Sequence, residues 1–180
     1  MRAVILVEGV SDQLALAALG ARRGRDLDAE GVVVRPIGGA HAAAAVVERL
    51  RLERPGVTLA GLCDAREEEV FARALERAGM GADLTRADLE SLGFFVCVSD
   101  LEDELVRALG APGVQGIIEA QGELAAFRTF QKQPAKRALP LEEQLWRFMW
   151  NRKIRYAPLL VAALDLTRVP RPLDGVLAHV

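Results

Sequence analysis

The chain has little sulfur and little imidazole: two cysteines and two histidines in 180 residues. Cys63 and Cys97 each stand at the end of an apolar run, so they read as buried strand residues rather than as a disulfide or a metal site. His41 and His179 are too few and too far apart for a zinc constellation, which leaves hard, oxygen-bound ions as the metals to expect. Aromatic residues make up only 5%, too few stacking platforms to read a single strand base by base. Long apolar runs are also missing. The run Ala3 to Val7 meets Glu8 at once, so neither a signal peptide nor a membrane span is expected, and the cytoplasm is the expected location. There is no internal repeat, no low-complexity linker and no Gly-x-x-x-x-Gly-Lys-Ser/Thr phosphate loop.

What is present fits one well-buried domain, with 51% hydrophobic and 27% charged residues. The net charge of −2 conceals an asymmetry. Residues 1–127 carry 13 basic and 21 acidic side chains, whereas residues 128–180 carry 10 basic and 4 acidic ones. The first part suits cations and the second suits phosphates, unless both are simply solvated helix faces.

Three strand–helix units follow one another. Arg2 to Val7 is a β-branched run ending at Glu8-Gly9, where glycine allows a tight turn and Ser11 offers an N-cap for a helix over 12–22. Val32 to Ile37 closes at Gly38-Gly39 and leads into a helical stretch over 40–54. Val57 to Cys63 ends at Asp64 and leads into a charged helix over 67–78. A fourth strand, Phe94 to Val98, precedes a helix that opens at Asp100-Leu101-Glu102 and runs to Leu109. Continuous apolar strands alternating with helices predict a mainly parallel four-stranded sheet between helices. From Ala111 the strand signal ends, and helices are expected around 116–121, 123–131, 141–150, 154–164 and 173–179. The division is therefore an α/β core over 1–110 and a basic helical extension over 111–180 packed on it.

In such sheets ligands bind beyond the carboxyl ends of the strands, and Glu8, Asp64, Asp100 and Glu102 all fall there. Asp12 lies in the first helical turn after Glu8, so both carboxylates can converge on one ion, and Mg²⁺ accepts one or two carboxylates with waters and phosphate oxygens. The alternative is that Asp12 meets the helix dipole while Ser11 caps, and that Asp64 caps its own helix. Ser99 and Glu102 likewise match the spacing of a capping box.

Taken together, Glu8-Gly9-x-Ser11-Asp12, Gly38-Gly39, Asp64 and Asp100-Leu101-Glu102 resemble the TOPRIM domain as found in OLD-family (overcoming lysogenization defect) endonucleases. Lys153-Ile-Arg-Tyr-Ala157 with Leu159-Leu160 is similar to that family's late lysine-bearing helix, and Val169-Pro-x-Pro-Leu173 to its closing segment. The resemblance implies a Rossmann-like TOPRIM fold that binds Mg²⁺ or Mn²⁺ through Glu8, Asp12, Asp64 and Glu102, with Asp100 a further candidate. It implies Glu8 and Lys153 as catalytic, Lys153 stabilising charge on the phosphate. Two departures stand out. Many TOPRIM proteins have Asp-x-Asp after the third strand, whereas Arg66 occupies the second position here; Glu67, Glu68 or Glu69 would be the substitutes. OLD nucleases also usually carry an ABC-type ATPase, which here would be a separate protein.

The leading expectation is a metal-dependent endonuclease acting on DNA, with Lys132, Lys136, Arg137, Arg152 and Arg155 contacting the nucleic acid. The alternatives are a degenerate TOPRIM module that binds nucleic acid or a partner ATPase without cleavage, and an RNA-processing TOPRIM ribonuclease. Tyr156 reads as packing, not as a nucleophile. Trp146, Phe148, Met149 and Trp150 cannot share one stripe of a helix, which either buries that helix on several sides or leaves part of it for a partner subunit, such as a second copy in a homodimer.

Overall fold

The computed structural model describes residues 1–180, Ala40 by its backbone alone. Four strands, β1 (Ala3–Val7), β2 (Val32–Pro36), β3 (Thr58–Asp64) and β4 (Phe94–Cys97), form one sheet in the order β2-β1-β3-β4. All three pairings are parallel. β1 is central, and its five residues are fully buried. Because strand side chains alternate between faces, Ala3, Ile5 and Val7 enter one core while Val4 and Leu6 enter the other.

One face is covered by α2 (Ala43–Glu53), α3 (Glu68–Arg77) and the short α4 (Arg86–Ser91), through Val47, Phe71, Leu75 and Leu89. The other is covered by α1 (Val10–Arg22), α5 (Leu101–Ala120), α6 (Leu124–Gln131), α7 (Leu141–Met149), α8 (Lys153–Ala163) and α9 (Arg171–His179). Residues after 110 thus fill the same core as the sheet: Phe127, Phe148, Tyr156, Leu160 and Val176 are buried with Ile5 and Leu16. In α9, Gly175 lies against the Phe95 ring, so that helix docks closely on the sheet.

Several local expectations are corrected. α1 starts at Val10 with Gly9 as its N-cap, and Ser11 makes no cap: the Gly9 N–H is taken instead by Asp12 Oδ2 at 2.8 Å. Gly9 has φ −139° and ψ −179°, ordinary extended backbone, so the turn does not depend on glycine there. Gly38 and Gly39, by contrast, have φ of +74° and +108°, which L side chains rarely adopt. α5 begins with Asp100 rather than Ser99 as its cap, Asp100 accepting from the Asp103 N–H. The helix that opens at Asp100 does run to Leu109 as expected: Gly110 (φ +70°, ψ 161°) is non-helical and breaks α5 there, ahead of a second helical stretch to Ala120. α4 has no counterpart in the sequence reading: it is six residues long, too short for periodicity to show. Among the described residues, no helix is long and apolar enough to cross a membrane.

Candidate active site

β1 and β3 are neighbours, so the residues leaving their carboxyl ends, Glu8 and Asp64, emerge side by side at one rim of the sheet. The first turn of α1 brings Asp12 there, and the first turn of α5, entered directly from β4, brings Asp100 and Glu102. The positive-φ turn after β2 adds Gly38 and Gly39, with the Gly38 N–H donating to the Glu8 carbonyl. These residues line one cleft of about 390 Å³ together with Gly9, Ser11, Leu101, Trp150 and Lys153. All five carboxylates and the lysine singled out from sequence therefore share a cavity.

Within it, charge is concentrated and poorly solvated. Asp100 and Glu102 are only 5% and 2% exposed. Lys153, from the first residue of α8, places Nζ 2.8 Å from Glu102 Oε2 and 3.4 Å from Asp100 Oδ2. Burial works against its ammonium, but the Glu102 and Asp100 carboxylates outweigh that and raise its pKa above the usual lysine value. Trp146 donates Nε1–H to both Asp100 oxygens at 2.9 Å. Both oxygens of Asp100 are thus engaged, whereas Glu102 Oε1 is buried without a hydrogen-bond partner.

The remaining acids repel one another. Burial, then the nearby Glu102 and Glu8 carboxylates, push Asp12 up to about 7, against the opposing Gly9 N–H. Burial, with Glu8, Asp100 and Asp12, pushes Asp64 up to about 8. Glu102 is also raised, chiefly by burial, with Lys153 opposing. Such desolvated, mutually repelling carboxylates favour a cation among them.

In chemistry the donors fit a hard divalent ion, since all are carboxylate oxygens, and the partnerless Glu102 Oε1 is an acceptor such an ion would use. As the side chains stand, however, no three of the described acids, cysteines or histidines are gathered tightly enough to enclose an ion.

Arg66 is exposed and does not line the cleft. Nor do the proposed substitutes: Glu68 pairs with Arg86, and Glu69 with Arg73. None of Lys132, Lys136, Arg137, Arg152 and Arg155 lines the cleft either. Arg152 and Arg155 share the Glu123 carboxylate, and Lys136 Nζ stands 5.5 Å from the Phe130 ring centre. Tyr156 is buried and donates its hydroxyl to Glu123, a structural contact. The part the sequence did not reveal is played by the tryptophans. Trp146 clamps Asp100, and Trp150 stands 4.3 Å from Lys153 Nζ and 4.8 Å, edge to face, from Trp146. Their spacing of four residues, one helical turn, was the available signal.

Residues 1–64 match the sequence family described as "Overcoming lysogenization defect protein-like, TOPRIM domain". The fold is that of two solved OLD fragments. The C-terminal region of the Xanthomonas campestris pv. campestris OLD protein superposes with a TM-score of 0.76 at 24% identity, over 99% of this chain and 91% of that one. The C-terminal region of the Burkholderia pseudomallei OLD protein gives 0.72 at 23%, over 99% and 96%. No curated protein sequence matches the chain. The chain thus resembles the TOPRIM part of OLD proteins, and its all-parallel α/β fold is theirs.

Proposed function

We propose that the protein is a divalent-metal-dependent TOPRIM nuclease that cleaves phosphodiester bonds in DNA. The observation that carries this reading is the convergence of Glu8, Asp12, Asp64 and Glu102 in one cleft with Lys153 at its wall. Those four carboxylates would hold Mg²⁺ or Mn²⁺, which when bound polarises a phosphate oxygen and lowers the pKa of a coordinated water.

The chain's own residues supply the rest. Glu8, at the open end of the central strand, helps set where the scissile phosphate lies. Lys153 offsets negative charge that builds on the phosphate in the transition state. Asp100, gripped by Trp146, keeps that ammonium at the cleft instead of in solvent. A separate ABC-type ATPase is the partner this reading proposes.

The test is plasmid nicking with Mg²⁺ or Mn²⁺: the wild type cuts, while folded Glu8→Ala and Asp64→Ala variants do not. Cleavage surviving in either variant would refute the assignment. A second reading, a non-cleaving module that binds nucleic acid or a partner ATPase, draws support from the acids not closing around an ion and from Lys153 already neutralising Glu102. Salt-dependent DNA binding without cleavage in either metal would favour it.

A further inference from the structure

Trp150 lines the cleft and holds Lys153 Nζ 4.3 Å from its ring centre, yet it is 49% exposed. Beside it are two more exposed apolar side chains, Ile154 at 60% and Val10 at 44%. The three line one shallow pocket with Ser11, Asn151, Arg152, Lys153 and Arg155. Ser11, Trp150 and Lys153 also line the acidic cleft, so shelf and cleft are continuous. Exposed large apolar side chains are otherwise scattered: Met1, Val33, Leu52, Val98 and Leu166 line neither cavity.

The charge of this shelf is opposite to that of the cleft. Arg152 and Arg155 share one carboxylate, Glu123, so their pairing leaves a net positive charge. An apolar surface bearing an aromatic ring, edged by guanidinium groups and opening onto a phosphodiester site, matches an unpaired nucleotide: base on the ring, phosphates on the cations. We propose that the Trp150–Ile154–Val10 shelf seats an unpaired nucleotide of the nucleic-acid substrate next to the cleft. Resting on the nuclease reading, this names its substrate class as DNA with single-stranded character at the cut.

The experiment measures binding of a short fluorescein-labelled oligothymidylate by anisotropy, in EDTA so that nothing is cut, with a duplex of equal length for comparison. Trp150→Ala weakens single-strand binding by roughly 5- to 150-fold, the range for loss of one aromatic–base stack, while Trp150→Phe retains most of it. The duplex is much less sensitive. Circular dichroism confirms that both variants fold. Equal affinity for the oligonucleotide with and without Trp150 would overturn the proposal. So would sedimentation velocity showing a wild-type dimer that Trp150→Ala dissociates, because the shelf would then be a self-interface. Absence of metal-dependent cleavage alongside Trp150-dependent binding would sink the nuclease reading and leave the shelf standing.

Discussion

Lys153 Nζ stands 2.8 Å from Glu102 Oε2, joining the first residue of α8 to the first turn of α5 across the cleft. That one contact ties the late helices to the acids of the sheet rim, and Asp100 at 3.4 Å shares the same ammonium. Removing it leaves two almost fully buried carboxylates without a cation. Lys153→Met is therefore expected to destabilise the protein by on the order of 2–4 kcal/mol, somewhat less than breaking a wholly buried ion pair because the lysine is partly exposed. It should also cut metal-dependent cleavage by roughly 100-fold or more. Chemical denaturation and single-turnover nicking measure the two effects separately. A variant with wild-type stability would show that the ion pair contributes nothing to folding.

The raised pKa values of Asp12 and Asp64 give the metal-free protein an unusual pH dependence. Their folded values, about 7 and about 8, lie above the ordinary 3.8. Between those limits the folded state binds more protons than the unfolded one, so stability falls as pH rises. In EDTA the melting temperature should drop from pH 5 to pH 8.5, and Asp64→Asn should flatten the drop. Adding Mg²⁺ should raise the melting temperature more at pH 8 than at pH 5.5, where protons occupy the site. A melting temperature in EDTA that does not fall across this range would contradict the repulsion described for the cleft.

The docking of α9 on the sheet can be tested through its glycine. A Cβ on Gly175 would lie 2.2 Å from Phe95 Cε1, so the ring or the helix would have to shift. Gly175→Ala is expected to cost about 1–3 kcal/mol, as overpacking does. Gly56→Ala, where a Cβ would meet nothing within 4 Å, serves as the control and should change little. Thermal melts followed by circular dichroism give both values.

The strands and the rim acids were legible in the sequence because each signal was local. Five fully buried residues ending at Glu8, and the run ending at Asp64, mark parallel strands by composition alone. Contacts set by tertiary packing were not legible. Nothing in the order of residues says that Trp146 reaches Asp100, 46 positions away, or that Arg152 and Arg155 are held by Glu123. Helix caps failed for a related reason. Ser11 and Ser99 are good capping residues by type, but α1 already begins at Val10, ahead of Ser11, and α5 takes Asp100 as its cap, accepting from the Asp103 N–H.

Asp100 and Glu102, equivalent as acids in sequence, should separate by experiment. Both Asp100 oxygens already accept hydrogen bonds from Trp146, Asp103 or Lys153, while Glu102 keeps Oε1 free of any partner. An ion would therefore bind Glu102 at little cost in existing contacts, but would have to displace the Trp146 and Lys153 donors to reach Asp100. Glu102→Gln is expected to weaken Mn²⁺ binding by roughly tenfold or more, since a ligand charge is lost outright. Asp100→Asn can still cap α5, so it should change Mn²⁺ affinity by no more than about threefold. Its defect would appear in cleavage rate, through a Lys153 no longer held on that side. Isothermal titration with Mn²⁺ on the intact chain distinguishes them, and equal losses in both variants would place Asp100 among the ligands after all.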